Sequence, residues 1–366
     1  MSALPSTLDG RLCICVGAGG VGKTTMAAAI ALGRAARGER VAVITIDPAP
    51  RLARALGFEE LAGEPQLVAG AGELWAMRLD PKRTLDDLIA SLAPDAGTRE
   101  RALSNRIYHE LSAAVAGTQE FSAVAKLYEL DRDGSFDAIV LDTPPSRNAL
   151  DFLDAPARLM RFFEGRAIRV LLAQGGLASR VAGRAGSPLL GVLGRLTGGD
   201  VLREISAFIG AIASMIDGLS ARAAAVAELL RDPATCYVLV SSPKREAVEE
   251  AIAFATELDR AGIALSALVA NRVHEAVEET AGLDELDALL GARLAALVLA
   301  SVADLDALAA ADAAALARLR GAFGALEALA VPELPVDVHD LEGLRHVAAH
   351  LGYSVPSSSE ASSLAQ

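Results

Sequence analysis

Cys15-Val-Gly-Ala-Gly-Gly-Val-Gly-Lys-Thr-Thr25 decides how this chain is read. Gly17, Ala18, Gly19, Gly20, Val21, Gly22, Lys23 and Thr24 fit the pattern G-x-x-x-x-G-K-[ST]. That pattern carries chemistry only between a strand and a helix. Leu12 to Val16 is a short apolar run of the buried-strand kind, and Thr24 to Arg37 is rich in Ala and other good helix formers. A loop with little side-chain bulk can turn consecutive N–H groups onto a triphosphate, and the helix N-terminus adds partial positive charge there. In such a loop Lys23 reaches the β- and γ-phosphates, Thr24 holds Mg²⁺ through its hydroxyl, and Thr25 touches the α-phosphate. The competing reading is an ordinary Gly-rich turn, which the lysine, both threonines and the flanking elements disfavour.

Working outward, 366 residues suffice for a large core. Against 47 Asp and Glu stand 34 Lys and Arg, a net charge of −13, which argues against nucleic acid or an anionic membrane as the main partner. Cys13, Cys15 and Cys236 form no C-x-x-C and no paired framework. A reduced, cytoplasmic protein without zinc is therefore expected, with Cys13 and Cys15 packed on one strand face and a redox role as the alternative. Met1 to Gly10 lack the features of a signal peptide, and no uncharged run reads as a spanning helix, so a soluble chain is expected.

Arg40 to Ile46 reads as a second parallel strand ending at Asp47-Pro48-Ala49-Pro50. Further strands are expected at Glu73 to Leu79, Phe136 to Leu141, Thr235 to Val240, Ile263 to Ala270 and Ala330 to Val336. Helices fill about 84–130, 149–230, 244–261, 276–329 and 340–351. Strands scattered from end to end predict one domain over 1–353: a P-loop α/β fold with a mostly parallel central sheet flanked by helices and an inserted α-helical subdomain. The insertions fall at about 81–130, 149–232 and 276–329, and 354–366 is a Ser-rich tail expected to be disordered.

Parallel sheets bind ligands at the carboxyl ends of their strands. Asp142, at the end of Ala138-Ile-Val-Leu141, suits an acid holding a Mg²⁺-bound water, or merely terminates the strand. Asp47 either caps a helix with Pro48 at its first position or orients and deprotonates the attacking water. Asn271 either pairs with an adenine edge or is a turn residue after its strand. His346 and His350 lie one helical turn apart without an acidic ligand between them, a weak metal pattern. The helices of 149–230 could line a groove for an apolar client helix, although their only methionines are Met160 and Met215, or simply pack on one another.

Four motifs in order, Gly17 to Thr25, Thr45-Ile-Asp-Pro-Ala49, Asp142-Thr-Pro-Pro145 and Val269-Ala-Asn-Arg-Val273, resemble the arsenical-pump and tail-anchored-protein-targeting ATPases of the deviant Walker A class. The resemblance covers most of the chain, and Asp142 to Pro156 is most similar to an actinobacterial branch that includes paired members. It implies ATP and Mg²⁺ as ligands and γ-phosphate hydrolysis coupled to dimer conformation and to a client or membrane partner. Asp47 then matches the first switch acid, Asp142 to Pro145 the second switch, and Asn271 the adenine reader. Pro332 to Asp337 matches the segment closing over the base, and Gly117-Thr-Gln-Glu120 a loop near the dimer interface. The chain departs from the family in having Ala18 where a lysine crosses the dimer, in lacking the zinc-binding C-x-x-C, and in lacking an arsenite-binding cysteine cluster. Ala18 implies either a homodimer with slow turnover or a heterodimer with a lysine-bearing paralogue, Arg147 being a local cationic substitute in the first case. A nucleotide-gated regulatory module without transport or client targeting is the alternative output.

Overall fold

The computed structural model describes residues 7–106, 108–109, 118–143, 208, 210–211, 214–277, 282–324, 326 and 328–356. The chain divides into two compact units, one of residues 1–78, 134–149 and 233–366, the other of 79–133 and 150–232.

The first unit is built on an eight-stranded sheet: β1 (Leu12–Gly17), β2 (Val41–Thr45), β3 (Gln66–Leu67), β4 (Leu74–Arg78), β5 (Ala138–Asp142), β6 (Thr235–Ser241), β7 (Ala267–Val273) and β8 (Ala328–Pro332). The order across the sheet is β3-β4-β2-β5-β1-β6-β7-β8. Every neighbouring pair is parallel except β3 with β4. β1, β2, β5 and β6 are buried along nearly their whole length, which explains their continuous apolar runs in place of alternation. The chain leaves β1, crosses to β2 and later returns to lay β5 between them, so the carboxyl end of β1 opens where the direction of strand addition changes.

Helix α1 (Lys23–Ala35) is buried almost all round. Its Ala-rich sequence lets it lie close to the sheet on one side, while the last helix covers the other. Gly33 faces the ring of Tyr353 so tightly that a Cβ there would collide with it. Between β2 and β3 lies a single short turn of helix, α2 (Arg51–Ala55), which the two prolines before it obscure in the sequence.

The second unit contributes α3 (Pro81–Leu92), α4 (Ala96–Leu103), α5 (Thr118–Asp133) and α6 (Ile216–Arg231). Asp80 and Asp95 cap α3 and α4 by accepting from backbone N–H groups. Leu85, Leu88, Ile89, Tyr108, Phe208 and Met215 share a core. Met215 is therefore packing material, whereas Met160, Gly117 and most of the expected groove at 149–230 lie outside the described residues.

The remaining helices belong to the sheet-bearing unit: α7 (Arg245–Arg260), α8 (Leu283–Leu290), α9 (Ala292–Phe323) and α10 (Leu341–His350). Gly291, at φ 79°, separates α8 from α9. Asp312 ties α9 to the end of β7 by accepting from the His274 backbone N–H at 2.8 Å. Among the described residues one helix, α9, is long and apolar enough to cross a membrane by length and composition, whereas none is expected from the sequence. Only 11 % of its apolar window is buried, and Leu294, Leu297, Leu305 and Leu308 are exposed along it.

Candidate functional site

The loop after β1 owes its path to glycine at two positions. Gly17 has φ 144°, and a Cβ there would strike the Val240 carbonyl on β6. Gly22 has φ 97°, and a Cβ there would strike the side-chain amide of Asn271. Gly22 is also the N-cap of α1, offers no side-chain cap, and is followed by no acidic residue in the first turn. The first N–H groups of α1 are thus left without a side-chain anion, the condition under which a helix start accepts phosphate. Val21 turns into the core, Ala18 packs against it half-buried, and Gly19 and Gly20 are exposed.

Lys23 folds back over this loop, donating from Nζ to the carbonyls of Gly17 at 3.0 Å and Ala18 at 2.8 Å. It is only 6 % exposed, and burial lowers its pKa against the opposing pull of Asp142, Cys15 and Asp47. Thr24, the next residue, donates from Oγ1 to Asp142 Oδ2 at 2.8 Å. Thr45, at the end of β2 and in register with Asp142 on β5, donates to the same oxygen at 2.9 Å. Asp142 is 1 % exposed, and burial pushes its carboxyl up to about 6 despite both hydroxyls and Lys23. Its other oxygen, Oδ1, is buried without a hydrogen-bond partner. An orphaned carboxylate oxygen beside a threonine hydroxyl is what a hydrated divalent cation would satisfy, so Thr24 and Asp142 fit Mg²⁺. Thr143 donates to the Cys15 carbonyl at 2.7 Å and so locks the β5 end to β1.

Asp47 is not a helix N-cap. The helix starts at Arg51 with Pro50 as its N-cap, and Asp47 Oδ1 accepts from the Ala49 N–H two residues on, at 2.9 Å, closing an Asx turn. Its Oδ2 lies 3.7 Å from the Arg51 guanidinium. Asn271 is likewise not a turn residue. It is buried within β7, and its Nδ2 donates to the Val21 carbonyl at 2.9 Å, so it steadies the loop directly. β7 continues past it through a bulge at Arg272, whose φ is 62°.

Beside these residues opens a cavity of about 520 Å³. Gly20, Gly22, Lys23, Thr24, Thr25, Asp47, Thr143, Asn271 and Pro332 all contribute to its wall. Thr45, quoted in a motif but given no role from the sequence, proves to share Asp142 with Thr24. Arg51, Arg54 and His339 also line the cavity, although nothing in their local sequence marks them, as do Glu333 and Asp337 of the segment that the family resemblance places over the base. The fold brings α2 and the segment after β8 to the same opening.

Elsewhere, His346 and His350 are exposed on α10, and no group of three or more metal-ligating side chains occurs among the described residues. Cys13, Cys15 and Cys236 are free and buried. The Cys15 thiol is pushed up by its hydrogen bond with Cys13 and by burial, which suits packing rather than thiolate chemistry. Pro144, Pro145 and Arg147 lie outside the described residues.

A parallel sheet with this loop at the carboxyl end of its central strand defines a protein of P-loop NTPase fold. More narrowly, the chain belongs to the anion-transporting ATPase family, whose model matches residues 11–285. It is 32 % identical over 183 residues to the ATPase GET3 of Rhodotorula glutinis, covering 50 % of this chain and 48 % of that protein. The ATPase get3 of Aspergillus terreus is 32 % identical over 190 residues, 52 % of this chain and 53 % of its own. That of Neurospora crassa is 27 % identical over 257 residues, 70 % of this chain and 71 % of its own. With the first two, the match spans about half the length of the relative.

Proposed function

We propose that this chain binds ATP with Mg²⁺ at the carboxyl end of β1 and hydrolyses its terminal phosphoanhydride bond. The observation that carries this reading is that Lys23 and Thr24 line one cavity while Thr24 donates to the buried Asp142 behind it, whose Oδ1 is left unpartnered. The relatives' description as ATPases agrees with it. N–H groups of the loop and the α1 start cradle the phosphates, and Lys23 exchanges its bonds to the Gly17 and Ala18 carbonyls for phosphate oxygens. Thr24 would hold Mg²⁺ directly and Asp142 through a water. When bound, the ion screens phosphate charge. Asp47 orients the attacking water and accepts its proton as the water oxygen bonds to phosphorus and ADP leaves. Asn271 and Pro332 border the base. Asn271 keeps one Nδ2 hydrogen beyond its bond to Val21, enough to reach an adenine acceptor.

We extend the reading to a cytoplasmic dimer whose conformation follows nucleotide state and acts on a client or partner. The leucines left exposed on α8 and α9 favour association, since apolar area of this kind is commonly covered by a partner. Ala18 favours a second reading of the output, a slow nucleotide-gated module that forms half of a heterodimer with a lysine-bearing paralogue. Phosphate release by the purified chain, alone and with such a paralogue, tests both. Mg²⁺-dependent release that the paralogue stimulates is expected. Absence of release in either condition contradicts hydrolysis, and full-speed release by the isolated chain contradicts the heterodimer.

A further inference from the structure

We propose that Arg51 is a phosphate-binding residue of this cavity, supplying in cis a positive charge to the terminal phosphate by leaving Asp47 when a nucleoside triphosphate binds. The inference rests on the triphosphate reading above. Arg51 opens α2, which follows directly on the turn that holds Asp47, so its side chain enters the cavity from the β2 side while Lys23 enters from the loop.

Three observations converge on it. First, the Arg51 side chain is 65 % exposed, and its ion pair with Asp47 is 3.7 Å long. That exceeds the roughly 2.7–2.9 Å of a charge-assisted hydrogen bond, so the guanidinium is held loosely and can leave at little cost. Second, Arg51 and Lys23 face the same cavity, and Arg51 adds to the lowering of the Lys23 pKa that burial chiefly causes. Like charges aimed into one space repel each other, and a polyanion between them turns that repulsion into shared attraction. Third, Arg54 lines the same cavity three residues further along α2, so this turn of helix presents both guanidinium groups to one side.

A guanidinium suits this task because its planar fork of N–H donors can grip two phosphate oxygens at once. Its departure from Asp47 also matters. Asp47 Oδ1 stays engaged with the Ala49 N–H, while Oδ2, which Arg51 faces at 3.7 Å, becomes free to accept from water. A single side-chain movement would thus screen the phosphate and release the base, and it would occur only when a third phosphate is present.

The test compares Mg-ATP and Mg-ADP affinity and steady-state hydrolysis for the full-length parent, Arg51→Ala and Arg51→Lys. Arg51→Ala is expected to weaken ATP about 10- to 100-fold, the loss of charged hydrogen bonds, while ADP affinity stays within about 2-fold. It should also lower kcat by at least about 10-fold, and Arg51→Lys should recover part of both losses. A residue that only shapes α2 would move ATP and ADP together. If the parent binds both nucleotides and Arg51→Ala keeps the parent's ratio of ATP to ADP affinity and its kcat, the Arg51 assignment is overturned and the triphosphate reading stands. If the parent binds neither nucleotide, both fall.

Discussion

Replacing Asp142 by Asn isolates a charge that burial makes costly. The carboxyl is raised from an ordinary value of 3.8 to about 6, chiefly by burial. Between those values the folded chain binds the proton more tightly than the unfolded chain. This group's contribution to stability is therefore fully present below pH 3.8 and is lost as pH rises through about 6. Two units correspond to about 3 kcal/mol. Asn keeps the shape and can still accept from Thr24 and Thr45, but its amide N–H₂ inherits the unpartnered position of Oδ1, a penalty of about 1–3 kcal/mol that does not vary with pH. The informative quantity is therefore the difference between variant and parent at pH 7.5 minus the same difference at pH 4.5, in which the constant penalty cancels. Urea denaturation of the nucleotide-free chain at both pH values should show the variant gaining about 2 kcal/mol on the parent as pH rises, because about 1 kcal/mol of the loss has already occurred by pH 4.5. Parallel pH profiles would refute the claim that Asp142 ionises against its surroundings. In the same variant, Mg²⁺ should no longer strengthen ATP binding.

Other substitutions address the remaining parts. Lys23→Ala should cost at least about 100-fold in ATP affinity, read by calorimetry, with a thermal melt showing the fold retained despite the two freed loop carbonyls. Asp47→Asn keeps an acceptor for the Ala49 N–H and should leave Mg-ATP binding intact while slowing hydrolysis about 10²- to 10⁴-fold in single-turnover assays. Gly22→Ala forces a Cβ into the Asn271 amide at φ 97° and should destabilise the chain by at least about 1–3 kcal/mol in urea while abolishing ATP binding.

How much of this was legible beforehand follows from where the information lies. β1, the loop and α1 are local in sequence, and their glycines, lysine and apolar runs declare them. β5 and Asp142 read equally well because a strand buried on both faces is a continuous apolar run. β3 escapes because two residues pair only at the sheet edge, where no periodicity can develop. β8 begins at Ala328, earlier than expected, and ends at Pro332, where the missing N–H weakens the ladder. The turn-residue alternative for Asn271 arises because Arg272 and Val273 look like a strand exit, whereas the bulge lets β7 run on. The Asp47 cap fails for a similar reason: a proline after an acidic residue suggests a helix start, but the first helical position is Arg51. The family resemblance marks Pro332 to Asp337, but Arg51, Arg54 and His339 acquire meaning only when the sheet order brings them to the same cavity, which is information held in tertiary contact rather than in any stretch of sequence.

The central claim is that the cavity beneath the loop takes a nucleoside triphosphate with Mg²⁺ through Lys23. Calorimetric titration of the purified full-length chain with a slowly hydrolysed ATP analogue and Mg²⁺, beside the Lys23→Ala variant, tests it independently of turnover rate. The expected result is saturable binding at one site per chain, strengthened by Mg²⁺ and reduced at least about 100-fold in the variant. A folded parent that shows no binding, or a variant that binds as the parent does, would contradict the assignment.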